Sequence, residues 1–363
     1  MRSPHPSSPA FALGKLPADY LAHLLSRHAP DDERVILGPG IGRDAAVISF
    51  GERYLVAKSD PITFASDEIG WYAVHVNAND VACTGATARW FLATLLLPEG
   101  QTDRALVDGI FDQIAGACEG LDVALVGGHT EVTYGIDRPI VVGFMLGEVA
   151  PERLVRPDGA RPGDVVMVTK GVAVEGTAIL AREALAREAL AREALAREAL
   201  AHERGDALTG FDAGTIERCR DLLYDPGISV VRDAAVATAA GEVHAMHDPT
   251  EGGLATGLWE LAEAAGVGLV VDENAIPILP DTRAFCERLG LNPLGLIASG
   301  ALLLAVAPGD VETIVSALEE VGIEAACIGR VVERETGVTL QGTAGERPMP
   351  RFDQDEITRL FAE

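Results

Sequence analysis

The feature that most restricts this chain is a run of short apolar strand-like segments alternating with helical ones, present twice. The two runs are separated by one turn-rich stretch, PERLVRPDGARPG, at residues 151–163. Alternation of this kind marks a mixed α/β or α+β protein. Before the break, residues 54–59, 123–126 and 139–147 read as strands, and residues 103–119 as a helix. A further helix is expected to start near Ser66, with Ser66 as its N-cap and Asp67 and Glu68 in a first turn where the helix dipole favours acids. After the break, residues 164–169, 243–247, 267–271 and 301–307 read as strands. Helices are expected from near Thr177, over 254–265 and over 311–321.

The organisation that follows is a tail and short amphipathic helix over 1–33, with Leu21, Leu24 and Leu25 on one side. One domain is then expected over 34–150, a second over 151–345, and a tail over 346–363. The length of 363 residues and an apolar share of 48% are enough to build two cores.

Inside the second domain the pentapeptide AREAL occurs four times in succession, within a helix expected over 178–204. A five-residue step advances about 140° net around a helix, so the leucines spiral and form no coiled-coil seam. The residue types are strong helix formers, and Glu183–Arg187, Glu188–Arg192 and Glu193–Arg197 are i,i+4 pairs in the favourable order. The segment reads as a solvent-exposed helix lengthened by duplication, without chemistry of its own.

Charge separates classes of partner. Twenty-nine Lys and Arg against 55 Asp and Glu leave a net charge of −26, which repels nucleic-acid backbones. Lys15, Lys58 and Lys170 are the only lysines. An excess of carboxylates with scarce lysine fits a protein that stays soluble in concentrated salt. The five cysteines are widely spaced and form no C-x-x-C, so neither a zinc knuckle nor a thioredoxin-like site is signalled. No apolar leader and no stretch of membrane-spanning length occurs. A cytoplasmic location with reduced thiols is expected, with neither nucleic acid nor membrane as partner.

Several standard sites are absent. There is no G-x-x-x-x-G-K-[ST], no H-E-x-x-H and no G-x-S-x-G. Gly38-Pro39-Gly40-Ile41-Gly42 has the wrong spacing for a dinucleotide fingerprint, and a strand follows it where a helix is needed.

What remains is a set of carboxylates at element ends: Asp44 in GRDAAVI, Asp60 at the end of YLVAKSD, and Asp80 in VHVNANDVACTGA with Asn77 one turn earlier. Hard oxygen ligands of this kind suit Mg²⁺, which takes one or two carboxylates together with phosphate oxygens. Singly, each aspartate also reads as a turn or cap residue. In LVGGHTEVT a strand runs into Gly127-Gly128, whose amides could approach an anion, with His129, Thr130 and Glu131 at the strand's exit. In HDPTEGGL, Asp248 precedes Gly252 and Gly253, a strand-to-helix turn whose amides could hold phosphate. A structural histidine and a plain connection are the competing readings.

Taken together, GRDAAVI, the Asn79-Asp80 step, LVGGHTEVT, KGVAVEGTAIL and HDPTEGGLATGLWELAE resemble the AIR synthetase (PurM-like) superfamily of ATP-binding proteins, and within it the HypE group of hydrogenase-maturation proteins. The likeness runs from about Gly38 to Gly329. It implies a two-domain α/β (α+β) fold: an N-terminal domain that forms a β-barrel with a second subunit, a C-terminal α/β domain, and Mg-ATP in the cleft between them.

Carried over, Asp44, Asp60 and Asp80 are the expected metal ligands. Asp44, Lys58, Asn79, Gly127, Gly128, Thr130, Gly252 and Gly253 are expected to bind the nucleotide, and His129, Glu131 and Asp248 to be catalytic. The chain departs from the family at Arg43-Asp44, where two acids are common, and at His129, where an acid is common and Glu131 compensates. HypE proteins end in a cysteine that carries a carbamoyl group. The last cysteine here is Cys327 and the sequence closes RLFAE, so that chemistry is not expected on this chain's own tail.

The resemblance implies a homodimeric ATP-dependent enzyme. It would activate an amide or carbonyl oxygen of a small-molecule or protein-borne substrate by phosphorylation, for dehydration or cyclisation, in hydrogenase or related metallocentre maturation. The alternatives are a small-molecule kinase like the thiamine-monophosphate kinases, disfavoured by DPTEGGL where that group has D-x-S-D-G, and a non-catalytic nucleotide-binding scaffold.

Overall fold

The structure is a computed structural model that describes residues 11, 15–28, 30–63, 67–196, 211–343 and 345–360. Among the described residues, thirteen strands divide between two sheets. The first holds β1 (Val35–Leu37), β2 (Ala46–Phe50), β3 (Arg53–Ile62), β4 (Thr87–Pro98), β5 (Ala124–Thr133) and β6 (Ile140–Val149), in the order β1-β2-β3-β6-β4-β5. The second holds β7 (Val165–Thr169), β8 (Val243–His247), β9 (Gly268–Asp272), β10 (Leu303–Val306), β11 (Ala325–Val332), β12 (Val338–Gly342) and β13 (Gly345–Pro348), in the order β13-β12-β9-β11-β7-β10-β8. Among the strands of the described residues, β4/β5 and β12/β9 pair in parallel and the other pairs are antiparallel. The alternation seen in the sequence therefore builds mixed α/β layers with mainly antiparallel sheets.

The helices are α1 (Ala18–Arg27), α2 (Ile69–Ala82), α3 (Arg104–Gly120), α4 (Val174–Ala196), α5 (Ala213–Asp221), α6 (Val231–Ala240), α7 (Gly253–Ala265), α8 (Pro280–Leu289) and α9 (Val311–Glu320). Among them α2 is unusual, because 13 of its residues are buried and no polar face meets solvent. It is wedged between the first sheet and the second half of the chain. Its fit against β6 depends on Gly143, where a Cβ would collide with the Asn77 amide and the Ala73 carbonyl. That contact fixes where Asn77, Asn79 and Asp80 stand.

The strands and helices expected from the sequence appear, with shifted ends. Four differences have physical causes. First, α2 begins at Ile69 and not near Ser66, which lies outside the described residues. Glu68 takes a left-handed conformation ahead of the helix, and Asp67 pairs with Arg182 of α4 instead of serving the first turn. Second, β5 does not end at Gly127-Gly128 but runs to Thr133. Gly128 lies opposite Ala93, so close that a Cβ would overlap the Ala93 carbonyl, and the glycine serves strand pairing. Third, β4 has no counterpart in the sequence expectations, because RWFLATLLL is apolar in both registers and shows neither period. Fourth, α4 begins at Val174, and the first AREAL unit is not solvent-exposed throughout, since Ala181 and Ala184 are buried. The side chains of the expected Glu188–Arg192 and Glu193–Arg197 pairs, and that of Arg187 in the first, lie outside the described ones, although the helix backbone is described to Ala196.

Candidate functional site

The acidic residues gather where the end of β3, the buried helix α2 and the end of β8 meet. Lys58 and Asp60 are two residues apart on β3 and so share a face. The Lys58 ammonium lies 3.2 Å from Asp60 Oδ2 and 3.0 Å from Asp80 Oδ2. Burial works against the lysine's charge, but Asp80, Asp60 and Asp44 together hold its proton more tightly than in an ordinary lysine. Asp80 is itself buried. Burial raises its pKa to about 7, with Lys58 opposing and Asp44 and Asp60 adding to the rise. Burial also lifts Asp60, again against Lys58.

A second set adjoins this one. His247, at the end of β8, donates from Nδ1 to Asp44 Oδ2 at 2.8 Å and from Nε2 to Glu260 Oε2 at 2.9 Å. Burial disfavours the imidazolium, yet the two carboxylates raise its pKa well above that of a free histidine. The Asp44 carboxyl is kept below its usual range by His247, Lys58 and Lys15 despite burial. Lys15 bridges Glu251 at 3.5 Å and Glu260 at 3.6 Å. Beside them Asp248 is 2% exposed and neither of its carboxyl oxygens has a hydrogen-bond partner. Burial, with Asp80 nearby, raises its pKa well above that of a free aspartate. Six carboxyl groups (Asp44, Asp60, Asp80, Asp248, Glu251 and Glu260) thus surround three cationic groups (Lys15, Lys58 and His247).

Two asparagines hold this arrangement in place. Asn77 Oδ1 accepts the Asp60 backbone N–H at 2.9 Å, and its amide donates to the Ala73 carbonyl at 2.8 Å. Asn79 donates to the Ile228 carbonyl and accepts the Val230 N–H, both at 2.8 Å, tying α2 to the segment before α6. The Asn79 amide is therefore engaged within the chain, where the sequence pointed to a nucleotide contact.

The structure brings Asp44, Lys58, Asp60, Asp80 and Asp248 together. It does not bring the LVGGHTEVT residues to them. Gly127, Gly128, His129, Thr130 and Glu131 lie on β5, at the edge of the sheet, three strand spacings or about 14 Å from β3. His129 and Glu131 form an exposed pair at 3.0 Å. The turn at Gly252-Gly253 is also closed to phosphate. The Gly252 N–H donates to Asp355 Oδ2 at 2.7 Å, and the Gly253 N–H to the Thr250 carbonyl at 3.0 Å. A carboxylate from the C-terminal segment fills the anion place that the glycines create.

For Mg²⁺ the fit is conditional on phosphate. Among the described residues no three His, Cys, Asp or Glu side chains are grouped as a metal centre by themselves, and Lys58 stands between Asp60 and Asp80. The unpartnered Asp248 oxygens, the raised Asp80 and the surplus of carboxyl groups nonetheless suit a divalent ion that completes its shell with phosphate oxygens.

Next to Asp60 a cavity of about 140 Å³ opens between the two halves, walled by α2, α4 and the loop before β10. Glu175, Tyr72 and Ser299 reach it; none of them was singled out from the sequence. Glu175 lies within KGVAVEGTAIL and His247 within HDPTEGGL, so the motifs contained them without showing their direction. Lys15 carried a clearer signal. In a chain with only three lysines, each makes an ion pair: Lys15 and Lys58 in this cluster, and Lys170 with Asp233 at 3.3 Å.

Residues 42–149 match the family model for the AIR synthase related protein N-terminal domain, and residues 161–341 match that for its C-terminal domain. Similar proteins include the carbamoyl dehydratase HypE of Cupriavidus necator, 32% identical over 302 residues, covering 80% of this chain and 77% of that protein. The carbamoyl dehydratase HypE of Escherichia coli is 30% identical over 313 residues, covering 81% of each. Among solved structures, a crystal structure of the hydrogenase maturation protein HypE superposes with a TM-score of 0.67 at 26% identity, covering 91% of this chain and 97% of that one. HypE in complex with ATP gives a TM-score of 0.62 at 25% identity, over 94% and 99%. Thiamine monophosphate kinase from Aquifex aeolicus shares the fold, with a TM-score of 0.64 at 20% identity, over 91% and 98%. The two sheets with their helices are thus the two-domain PurM-like α/β fold that the motifs implied.

Proposed function

Because the chain belongs to the AIR synthase related protein family, we propose that it binds Mg-ATP at the acidic cluster and activates an amide or carbonyl oxygen by phosphorylation, for dehydration or cyclisation. The observation that carries this reading is the convergence of Asp44, Asp60, Asp80 and Asp248 on Lys58 and His247, with the buried Asp248 left without an ion pair among the described residues. Asp60, Asp80 and Asp248 would hold Mg²⁺ jointly with the phosphates, and the ion would supply neutralisation of the charge on the transferring phosphoryl group. Lys58 is positioned to move from its two aspartates to a phosphate oxygen, a role suited to a compact ammonium. Asn77 and Asn79 keep the carboxylates in register, so catalysis rests on positioning and electrostatics, as phosphoryl transfer generally does.

The HypE relatives are named carbamoyl dehydratases, and this supports a place in hydrogenase or related metallocentre maturation with a small-molecule or protein-borne substrate. The kinase reading has less support, since that likeness is one of fold at 20% identity. A homodimer belongs to the same proposal. Edge strand β5 exposes Leu125, Val126 and Val132, and Tyr134 follows it at 85% exposure, a sheet edge that a second copy would cover.

Calorimetric titration of Mg-ATP into the wild-type protein and Asp80→Asn tests the reading. A loss of at least tenfold in affinity is expected in the variant; equal affinity would remove Asp80 from the site.

A further inference from the structure

The cavity beside Asp60 shares Asp60 and Glu251 with the acidic cluster and adds polar side chains of its own. Glu175, at the start of α4, is 4% exposed, and its one hydrogen bond from the backbone is the Ser299 N–H at 3.3 Å from Oε2. Tyr72, on α2, is 1% exposed, and its hydroxyl has no hydrogen-bond partner. Both line the cavity, and Ile62, Val76 and Ile179 supply apolar wall. Two polar side chains, each more than nine-tenths buried, therefore face a space of about 140 Å³, far larger than one water requires. Leaving a buried hydroxyl unmatched costs about 1–3 kcal/mol.

The charges around the cavity decide what can enter. Among the described residues its lining includes no Lys, Arg or His, so an anionic head group would meet only carboxyl and hydroxyl groups. The other two acids at its wall have their own cations: Asp60 has Lys58, and Glu251 has Lys15. Glu175 has no ion pair among the described residues. Burial raises its pKa to about 7, with Ser299 opposing and Glu251 and Asp355 adding to the rise. A neutral carboxyl offers one O–H donor and one carbonyl acceptor side by side, a pattern matched by a primary amide, which accepts at C=O and donates at N–H.

We propose that this cavity binds the uncharged carboxamide head of the acceptor substrate, with the Glu175 carboxyl pairing to the amide at two points and the Tyr72 hydroxyl taking the remaining position. This rests on the reading of the chain as an activator of an amide oxygen. It adds that Glu175 and Tyr72 select the head group, and that carboxylates and ammonium groups of the same size are excluded.

Ligand-observed NMR with the full chain tests the assignment, using propionamide, propionate and ethylammonium as probes of equal size. Propionamide is expected to bind at least fivefold more tightly than either charged probe. Tyr72→Phe, which removes one hydroxyl, is expected to weaken propionamide about fivefold. Glu175→Gln keeps a donor and an acceptor and is expected to stay within about twofold of wild type, whereas Glu175→Leu abolishes binding. Tighter binding of ethylammonium, or wild-type propionamide binding in both Tyr72→Phe and Glu175→Leu, would overturn the proposal. Mg-ATP titrated into the same samples separates the two readings. Propionamide binding without Mg-ATP binding leaves the cavity assignment standing and sinks the ATP reading; the reverse sinks the cavity assignment alone.

Discussion

His247 Nδ1 stands 2.8 Å from Asp44 Oδ2, joining the end of a strand in the second sheet to the segment between β1 and β2 of the first, 203 residues earlier. Glu260 takes the other ring nitrogen, so the imidazole carries both protons. His247→Leu strands two carboxylates and is expected to cost about 3 kcal/mol or more, the usual scale for breaking a buried pair. The sign of the pH dependence follows from the raised pKa. The histidine's contribution is fully present below the pKa of a free histidine and is lost only as pH rises through the higher folded value. Urea unfolding of wild type and His247→Leu at pH 6 and pH 9 should show the larger difference at pH 6.

Lys58 sits between two aspartates whose own pKa values are raised. Without it, Asp60 and Asp80 must either ionise unpaired or stay protonated. Lys58→Met is therefore expected to be destabilised by about 2–4 kcal/mol at pH 8 and by much less at pH 5, below the raised pKa of Asp80. The sign agrees with linkage: buried acids that hold protons in the folded state lower stability as pH rises toward and past their folded pKa. Thermal unfolding across that range is the measurement, and a pH-independent loss would contradict the account.

The exposed edge of β5 makes its own prediction. Val126 is 53% exposed on a strand whose outer edge pairs with no other strand among the described residues. Val126→Lys places a charge where a second copy would pair, the device by which natural sheets discourage edge association. Light scattering at fixed concentration should show a dimer for wild type and a monomer for the variant, with the fold unchanged by circular dichroism.

Surface charge gives a prediction about salt. A net charge of −26 repels itself in dilute buffer, and added salt shortens the range of that repulsion. The unfolding midpoint is expected to rise steadily between about 0.1 M and 3 M KCl. Greatest stability in dilute buffer would count against a salt-adapted surface.

The sequence by itself determined the class of fold and pointed to several of the residues that meet in the acidic cluster. Apolar period and turn residues marked most strands and helices, and GRDAAVI, NAND and HDPTEGGL held Asp44, Asp80 and Asp248, because local pattern reflects local backbone geometry. Tertiary structure alone decided which of these residues meet. Asp44 finds His247 only when the two sheets pack, and Asp355 reaches the Gly252 amide from more than a hundred residues away. Gly127-Gly128 looked like an anion cradle because glycine frees the backbone in any setting. Whether that freedom serves a ligand or a neighbouring strand depends on what lies opposite, and here it is Ala93. Tyr72 and Glu175 were hidden for the same reason. A buried polar side chain in an apolar stretch carries no mark of its direction until the surrounding elements close around it.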